Sequence, residues 1–254
     1  MIRTFFANKL QVNIYITRQE MGSAAAEAAA AEIRELMGRK EQINIIFAAA
    51  PSQQEMLESF RDQQIDWSRV NAFHMDEYVG LADEAPQRFG NFLKEIIFRH
   101  LPFKSVHYIN GNAADVQAEC ERYAALLTEY PADIVLLGIG ENGHLAFNDP
   151  PVADFSDPLL VKMVELDVVC RNQQVNDGCF SSFGEVPSHA ITLTIPALLS
   201  GKSLYASVPG KTKIEAVYNT MNQEITSAYP STILRTHDRA TLYLDEVSAS
   251  TLSN

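Results

Sequence analysis

Short apolar runs alternate with helical stretches along nearly the whole chain, and this alternation limits the possible folds more than any other feature. β-Branched and apolar residues cluster at 43–47, 70–75, 106–109, 133–137, 190–193, 204–208 and 240–244, lengths that suit strands buried on both faces. Helical stretches fall between them at 24–39, 55–61, 89–100, 116–129 and 212–221. Strand and helix in alternation predict an α/β fold of three layers: a mainly parallel central sheet, helices on both faces and right-handed crossovers, Rossmann-like in outline. No repeat, low-complexity tract or Gly/Ser linker breaks the pattern, so residues 1–254 read as a single domain. The polar stretch 148–159 contains Pro150, Pro151 and Pro158 and is expected to form a long loop or lid.

Charge narrows the partners. The chain carries 20 Lys+Arg against 32 Asp+Glu, a formal net charge of −12, and no basic run offsets it. Such a field repels polyanions, which argues against nucleic acid and anionic membrane surfaces. Cys120, Cys170 and Cys179 are odd in number and widely spaced, with no C-x-x-C pair. That usage fits a reducing compartment and buried thiols, not a disulfide framework or a structural zinc site. The first nine residues lack the apolar core of a signal peptide, and no later run approaches membrane-spanning length. A soluble cytoplasmic protein is expected, with homo-oligomeric assembly left open.

In a parallel α/β sheet, ligands bind beyond the carboxyl ends of the strands, so the residues after each run are the candidates for chemistry. After 70–75 come Asp76 and Glu77, two carboxylates that either cap the next helix or serve a site. After 133–137 comes Gly138-Ile139-Gly140-Glu141-Asn142-Gly143-His144-Leu145-Ala146-Phe147-Asn148-Asp149-Pro150. Its glycines permit close approach of a ligand to the backbone, and exposed amides there can receive an anion. Gly138, Gly140 and Gly143 spell the dinucleotide fingerprint, but a Pro-broken loop follows where that fingerprint requires a helix, so a Rossmann cofactor site is set aside. His144 is either a structural histidine or, with Glu141 and Asp149 close in sequence, a general acid/base. After 204–208, Gly210-Lys211-Thr212-Lys213 opens a helix: a solvated lysine pair, or a place where amides and an ammonium converge on one anion. It lacks nucleotide P-loop spacing, which favours a monophosphate.

Together these segments resemble the glucosamine-6-phosphate deaminase (isomerase) family, within the larger group that includes 6-phosphogluconolactonases and ribose-5-phosphate isomerases. The resemblance rests on Met75-Asp76-Glu77-Tyr78-Val79-Gly80-Leu81 and on the loop from Gly138 to Pro150. It extends through Asn110-Gly111, Val186-Pro187, residues 190–193 and Lys213. It implies aldose–ketose isomerisation with loss of ammonia from a hexosamine 6-phosphate, without metal or organic cofactor. In that reaction His144 would assist ring opening, with Asn142 and Asp149 as its partners. Asp76 would carry the proton from C2 to C1. Ser52, Gln53, Glu77, Gly140, Gly143 and Lys213 would bind the substrate, Lys213 at its phosphate. Three departures from the family pattern stand out. Asn142 replaces an Asp and Asp149 a Glu; Ala48-Ala49-Ala50-Pro51-Ser52-Gln53-Gln54 stands where a Gly- and Thr-rich phosphate loop is usual; and a phosphate-binding arginine is missing near Asn172-Gln173-Gln174, with Arg171 beside it. An isomerase without deamination, a lactonase and a non-catalytic sugar-phosphate sensor are the rival readings. The presence of both Asp76 and His144 weighs against the sensor.

Overall fold

The computed structural model describes residues 1–252. Its central sheet has eight strands in the order β1 (Arg3–Ala7), β2 (Leu10–Tyr15), β11 (Ala240–Asp245), β10 (Ser203–Val208), β7 (Ile134–Leu137), β3 (Ile43–Phe47), β4 (Val70–His74) and β6 (Ser105–His107). Every neighbouring pair is parallel except β1 with β2, a hairpin that lies outside the apolar runs of the sequence. The edge strand β1 is half-exposed along its length, and β2 is interrupted by the polar Gln11 and Asn13, a weaker signal than the uninterrupted apolar strands.

Successive residues of the central strands feed two cores. Ile43, Ile45, Phe47, Ile134 and Leu136 face α1 (Arg18–Met37) and α2 (Gln54–Arg61), whereas Ile46, Val135, Leu137, Leu204 and Ala206 face α4 (Val116–Glu129) and α7 (Ile214–Asn222). This is the expected three-layer arrangement. Helix α1 begins at Arg18, ahead of its alanine run, because Thr17 caps it by accepting from the Glu20 amide at 3.1 Å. Its small residues let α2 approach so closely that a Cβ added at Gly22 would lie 2.6 Å from the Glu55 Cβ. No helix among the described residues is long and apolar enough to cross a membrane.

The run at 70–75 does not end as one strand. It leaves the main sheet at Met75 and re-pairs as β5 (Asp76–Tyr78) in a second, three-stranded antiparallel sheet with β9 (His189–Leu193) and β8 (Val161–Glu165). Residues 190–193, read as part of the parallel sheet, therefore belong elsewhere: apolar composition marks a buried strand without naming its partner. Two short helices, α3 (Phe89–Leu93) and α5 (Val168–Asn176), flank this small sheet, with α6 (Ile195–Leu199) after β9.

Candidate active site

From β3 the chain passes to β4 and β6 on one side of the sheet, and from β7 to β10 and β11 on the other, so β3 and β7 border the topological switch point. Crevices at such points are the usual ligand sites of open α/β sheets. A cleft opens there, lined by Ala48 to Ser52 after β3, Met75 and Asp76 after β4, Gly138 to Gly140 and His144 after β7, and Lys213 after β10. Gln173, Gln174, Asp177 and Cys179 from α5 and the turn beyond it form the remaining wall with Phe89 and Phe147.

Asp76 is 6% exposed, and no donor among the described residues reaches its carboxylate. Burial, reinforced by Glu77, pushes its pKa well above the ordinary carboxylate range. Its backbone is anchored by His74, whose Nε2 accepts from the Ile109 amide at 2.9 Å. The proton must then sit on Nδ1, which donates to the Asp76 carbonyl at 2.8 Å.

His144 lies against Gly140, where an added Cβ would stand 2.1 Å from its ring, so only glycine leaves room for the imidazole. Its Nδ1 is 2.9 Å from Asn142 Oδ1 and 3.0 Å from Asp149 Oδ1. Two acceptors on one nitrogen require a proton there, leaving Nε2 without a protein partner. Asn142 Nδ2 in turn donates to Asp149 Oδ1 at 2.8 Å. Burial would raise the Asp149 pKa, but His144 and the hydrogen bond from Asn142 outweigh it and hold the carboxyl below its ordinary value. The shorter Asp149 side chain thus still reaches the ring. Gly143, at φ +87°, makes the turn that returns His144 toward the cleft, and its carbonyl accepts from the Ser231 amide at 2.8 Å.

Lys213 is 5% exposed, yet no hydrogen bond or ion pair holds its ammonium among the described residues. Burial lowers its pKa, opposed by Asp177 and Glu141. An ammonium removed from water and facing a cleft without a partner is poised to receive an anion. Ser52 lies on the same lining, at the turn that starts α2.

Of the residues expected at the substrate, Ser52, Gly140 and Lys213 line this cleft with Asp76 and His144, whereas Gln53, Glu77 and Gly143 do not. Gln53 is buried beneath it, donating to Ser52 Oγ at 3.1 Å and to the Ser207 carbonyl at 3.0 Å. Glu77 points into the small domain-like layer around α3, where its carboxylate accepts from the amides of Tyr78, Phe89 and Gly90. Burial raises its pKa, against these amides and Arg88. Glu77 therefore takes the capping role, which the sequence left open. Gly143 acts through the turn, and Asn142 and Asp149 stand behind His144. The stretch 148–159 contributes nothing to the lining: Asn148 ties its start to the Leu193 carbonyl at 2.8 Å, and Lys162 ties its middle to Val152 and Asp157. Arg171 is turned away, stacked over Phe183 at 4.0 Å with its guanidinium donating to the Val186 carbonyl.

Gln173 and Gln174 were visible in the sequence only as the place of a missing arginine. Gln174 Oε1 accepts from the Tyr78 hydroxyl at 2.7 Å, and Gln173 Oε1 accepts from the Glu141 amide at 2.8 Å. Both help to wall the cleft, as do Asp177 and Cys179, because α5 covers it. Asp167, a helix cap, was the available signal for α5.

Residues 16–243 match the family model described as glucosamine-6-phosphate isomerases/6-phosphogluconolactonase. Glucosamine-6-phosphate deaminases from Bacillus cereus and Bacillus anthracis are each 34% identical over 228 residues, covering 90% of this chain and 85% of theirs. Among solved structures, a monomeric glucosamine-6-phosphate deaminase is similar with a TM-score of 0.85 and 29% identity, over 94% of this chain and 98% of that one. The 6-phosphogluconolactonase of Thermotoga maritima shares the fold, with a TM-score of 0.75 at 19% identity over 92% of this chain and 99% of its own.

Proposed function

Since the chain belongs to the family of glucosamine-6-phosphate isomerases and 6-phosphogluconolactonases, we propose that it converts a hexosamine 6-phosphate, glucosamine 6-phosphate or a close relative, and water to a ketose 6-phosphate and ammonium. The observation that carries this reading is the convergence on one cleft of a buried carboxylate without donors, a histidine with Nε2 unengaged and an unpartnered ammonium.

The phosphate sits at Lys213 and Ser52, with amides of the turn before α2. His144 moves a proton between Nε2 and the ring oxygen of the pyranose, and Asp149 stabilises the imidazolium during the transfer. Asn142 contributes no charge. It accepts from the ring and donates to Asp149, so one carboxylate does the electrostatic work. Asp76 then takes the C2 proton of the open chain. A carboxylate with few hydrogen bonds and a raised pKa is a stronger base toward carbon than a solvated one. The resulting enolamine is protonated at C1 by the same carboxyl group, giving a ketimine at C2 that water hydrolyses with release of ammonium. A sugar phosphate as partner and the absence of a cofactor requirement belong to this same reading.

The test is ammonium release over a panel of hexosamine 6-phosphates, without added metal. Ammonium and ketose phosphate in equal amounts are expected. Ketose phosphate without ammonium would identify an isomerase, acid production from 6-phosphogluconolactone a lactonase, and tight binding without any product a sensor.

A further inference from the structure

We propose that His144, Asp149 and Cys170 form a binding site for one divalent cation of the zinc class, and that the bound cation takes His144 out of proton transfer. His144 and Asp149 come from the loop after β7, and Cys170 comes from α5 on the opposite wall. Their ligand atoms lie within 4.8 Å of one another, and all three residues are buried.

A second observation points the same way. Asp149 is 1% exposed, and its Oδ1 is taken by His144 and Asn142, but its buried Oδ2 receives no N–H or O–H donor. A buried carboxylate oxygen without an N–H or O–H donor is costly, and coordination of a cation satisfies it better than a weak S–H donor does. The donor that the carboxylate meets on that side is the Cys170 thiol, which hydrogen-bonds to it weakly and would give up its proton to a bound cation. Cys170 is itself fully buried and unpaired, one of three free cysteines, and the proposed reaction does not use it.

One nitrogen, one oxygen and one sulfur make a donor set that zinc accepts, whereas magnesium and calcium take oxygen ligands. Zinc bonds of about 2.0–2.3 Å in a tetrahedron imply donor separations of about 3.3–3.7 Å, so the cluster needs to contract by about 1 Å at its widest. Three protein ligands leave a fourth position for water, and of the three residues His144 lines the cleft. Asn142, hydrogen-bonded to Asp149, would orient the carboxylate as an outer-shell partner. On binding, the Cys170 S–H bond breaks as the zinc–sulfur bond forms, and one proton leaves to solvent. The imidazole coordinates as the neutral ring through Nδ1, the nitrogen that meets Asp149, and the proton that Nδ1 carried is transferred to Nε2. No electrons are exchanged. The site itself goes beyond the proposed function; only the loss of turnover rests on it.

Cobalt(II), a spectroscopic stand-in for zinc, decides the question with the full-length protein. One equivalent should produce a near-ultraviolet thiolate-to-cobalt band, and zinc should bleach it. The band should disappear in Cys170→Ser, which preserves side-chain size, and in Asp149→Asn, but persist in Cys120→Ser and Cys179→Ser. Saturating zinc should stop turnover of the wild type reversibly, with chelator restoring it, and Cys170→Ser should weaken that inhibition by about tenfold or more. Absence of the band, or its survival in Cys170→Ser, overturns the site; full turnover with the site loaded overturns the switch. If no hexosamine phosphate is turned over at all, the proposed function fails while the cobalt titration still decides the site.

Discussion

Asp76 combines burial, an absence of hydrogen-bond donors and an acidic neighbour, and each raises the cost of its charge. Asp76→Asn should lower turnover by about 10²–10⁴-fold while leaving sugar-phosphate binding close to wild type, as measured by kinetics and calorimetry. It should also stabilise the protein. A carboxyl whose pKa is raised on folding contributes stability that is complete below its ordinary value of 3.8 and is lost as pH rises through the folded value. At pH 8 the neutral amide avoids that loss, so its melting temperature should exceed the wild type's, by about 2–4 °C for each kcal/mol recovered in a domain of this size. An equal or lower melting temperature would count against the buried-charge account. Gly140→Ala tests the other half of the site: its Cβ would meet the His144 ring at 2.1 Å, so turnover should collapse with Lys213 still in place to bind phosphate. The side-chain types at 76, 144 and 213 were legible in the sequence because they follow strand ends. Which neighbours they lacked was not, since an unpartnered carboxylate or ammonium is defined by everything packed around it.

Strands β4, β5 and β6 meet at His74, a fully buried imidazole that joins the Asp76 carbonyl to the Ile109 amide. Tyr123 from α4 braces the same point, accepting from the His74 amide at 3.0 Å and donating to its carbonyl at 2.9 Å. Burial lowers the His74 pKa to about 4 from its ordinary 6.5. The neutral ring is therefore favoured by folding, and its contribution is present above pH 6.5 and lost as pH falls through about 4. The loss is on the order of 3 kcal/mol. Asp76 titrates with the opposite sign, so the effect is best measured in Asp76→Asn, where melting temperature should fall between pH 6.5 and 4. Adding His74→Gln, which can still accept from the Ile109 amide, should flatten that slope; an unchanged slope would assign it to other groups. At this scale the parallel strands and long helices were readable from apolar runs. The second sheet was not. Residues 70–78 look like one strand followed by polar residues, and the change of partner at Met75 depends on β9, more than 100 residues away. Helix α5 was missed as well, and with it the wall that carries Gln173, Gln174 and Cys170.

The whole molecule carries a net charge of −12, yet the proposed substrate is an anion. Lys213 is buried in the cleft and little screened by salt, whereas the repulsion from the acidic surface is long-ranged and fades over a Debye length of about 8 Å at physiological ionic strength. Raising salt from low to physiological levels should therefore increase kcat/KM for a hexosamine phosphate, by less than about tenfold, mainly through association. A fall over that range would show that local attraction outweighs the global field. The sequence by itself determined the α/β class, the net charge and the strand ends that bear Asp76, His144 and Lys213, because these depend on local periodicity, on composition and on motifs contiguous in the chain. Only the tertiary structure decided that Glu77 caps α3, that Gln53, Gly143 and the stretch 148–159 lie outside the cleft lining, and that Cys170 faces Asp149. Each of those is a question of which face a residue presents and what packs against it, and the answer comes from segments remote in sequence that folding brings within a few ångströms.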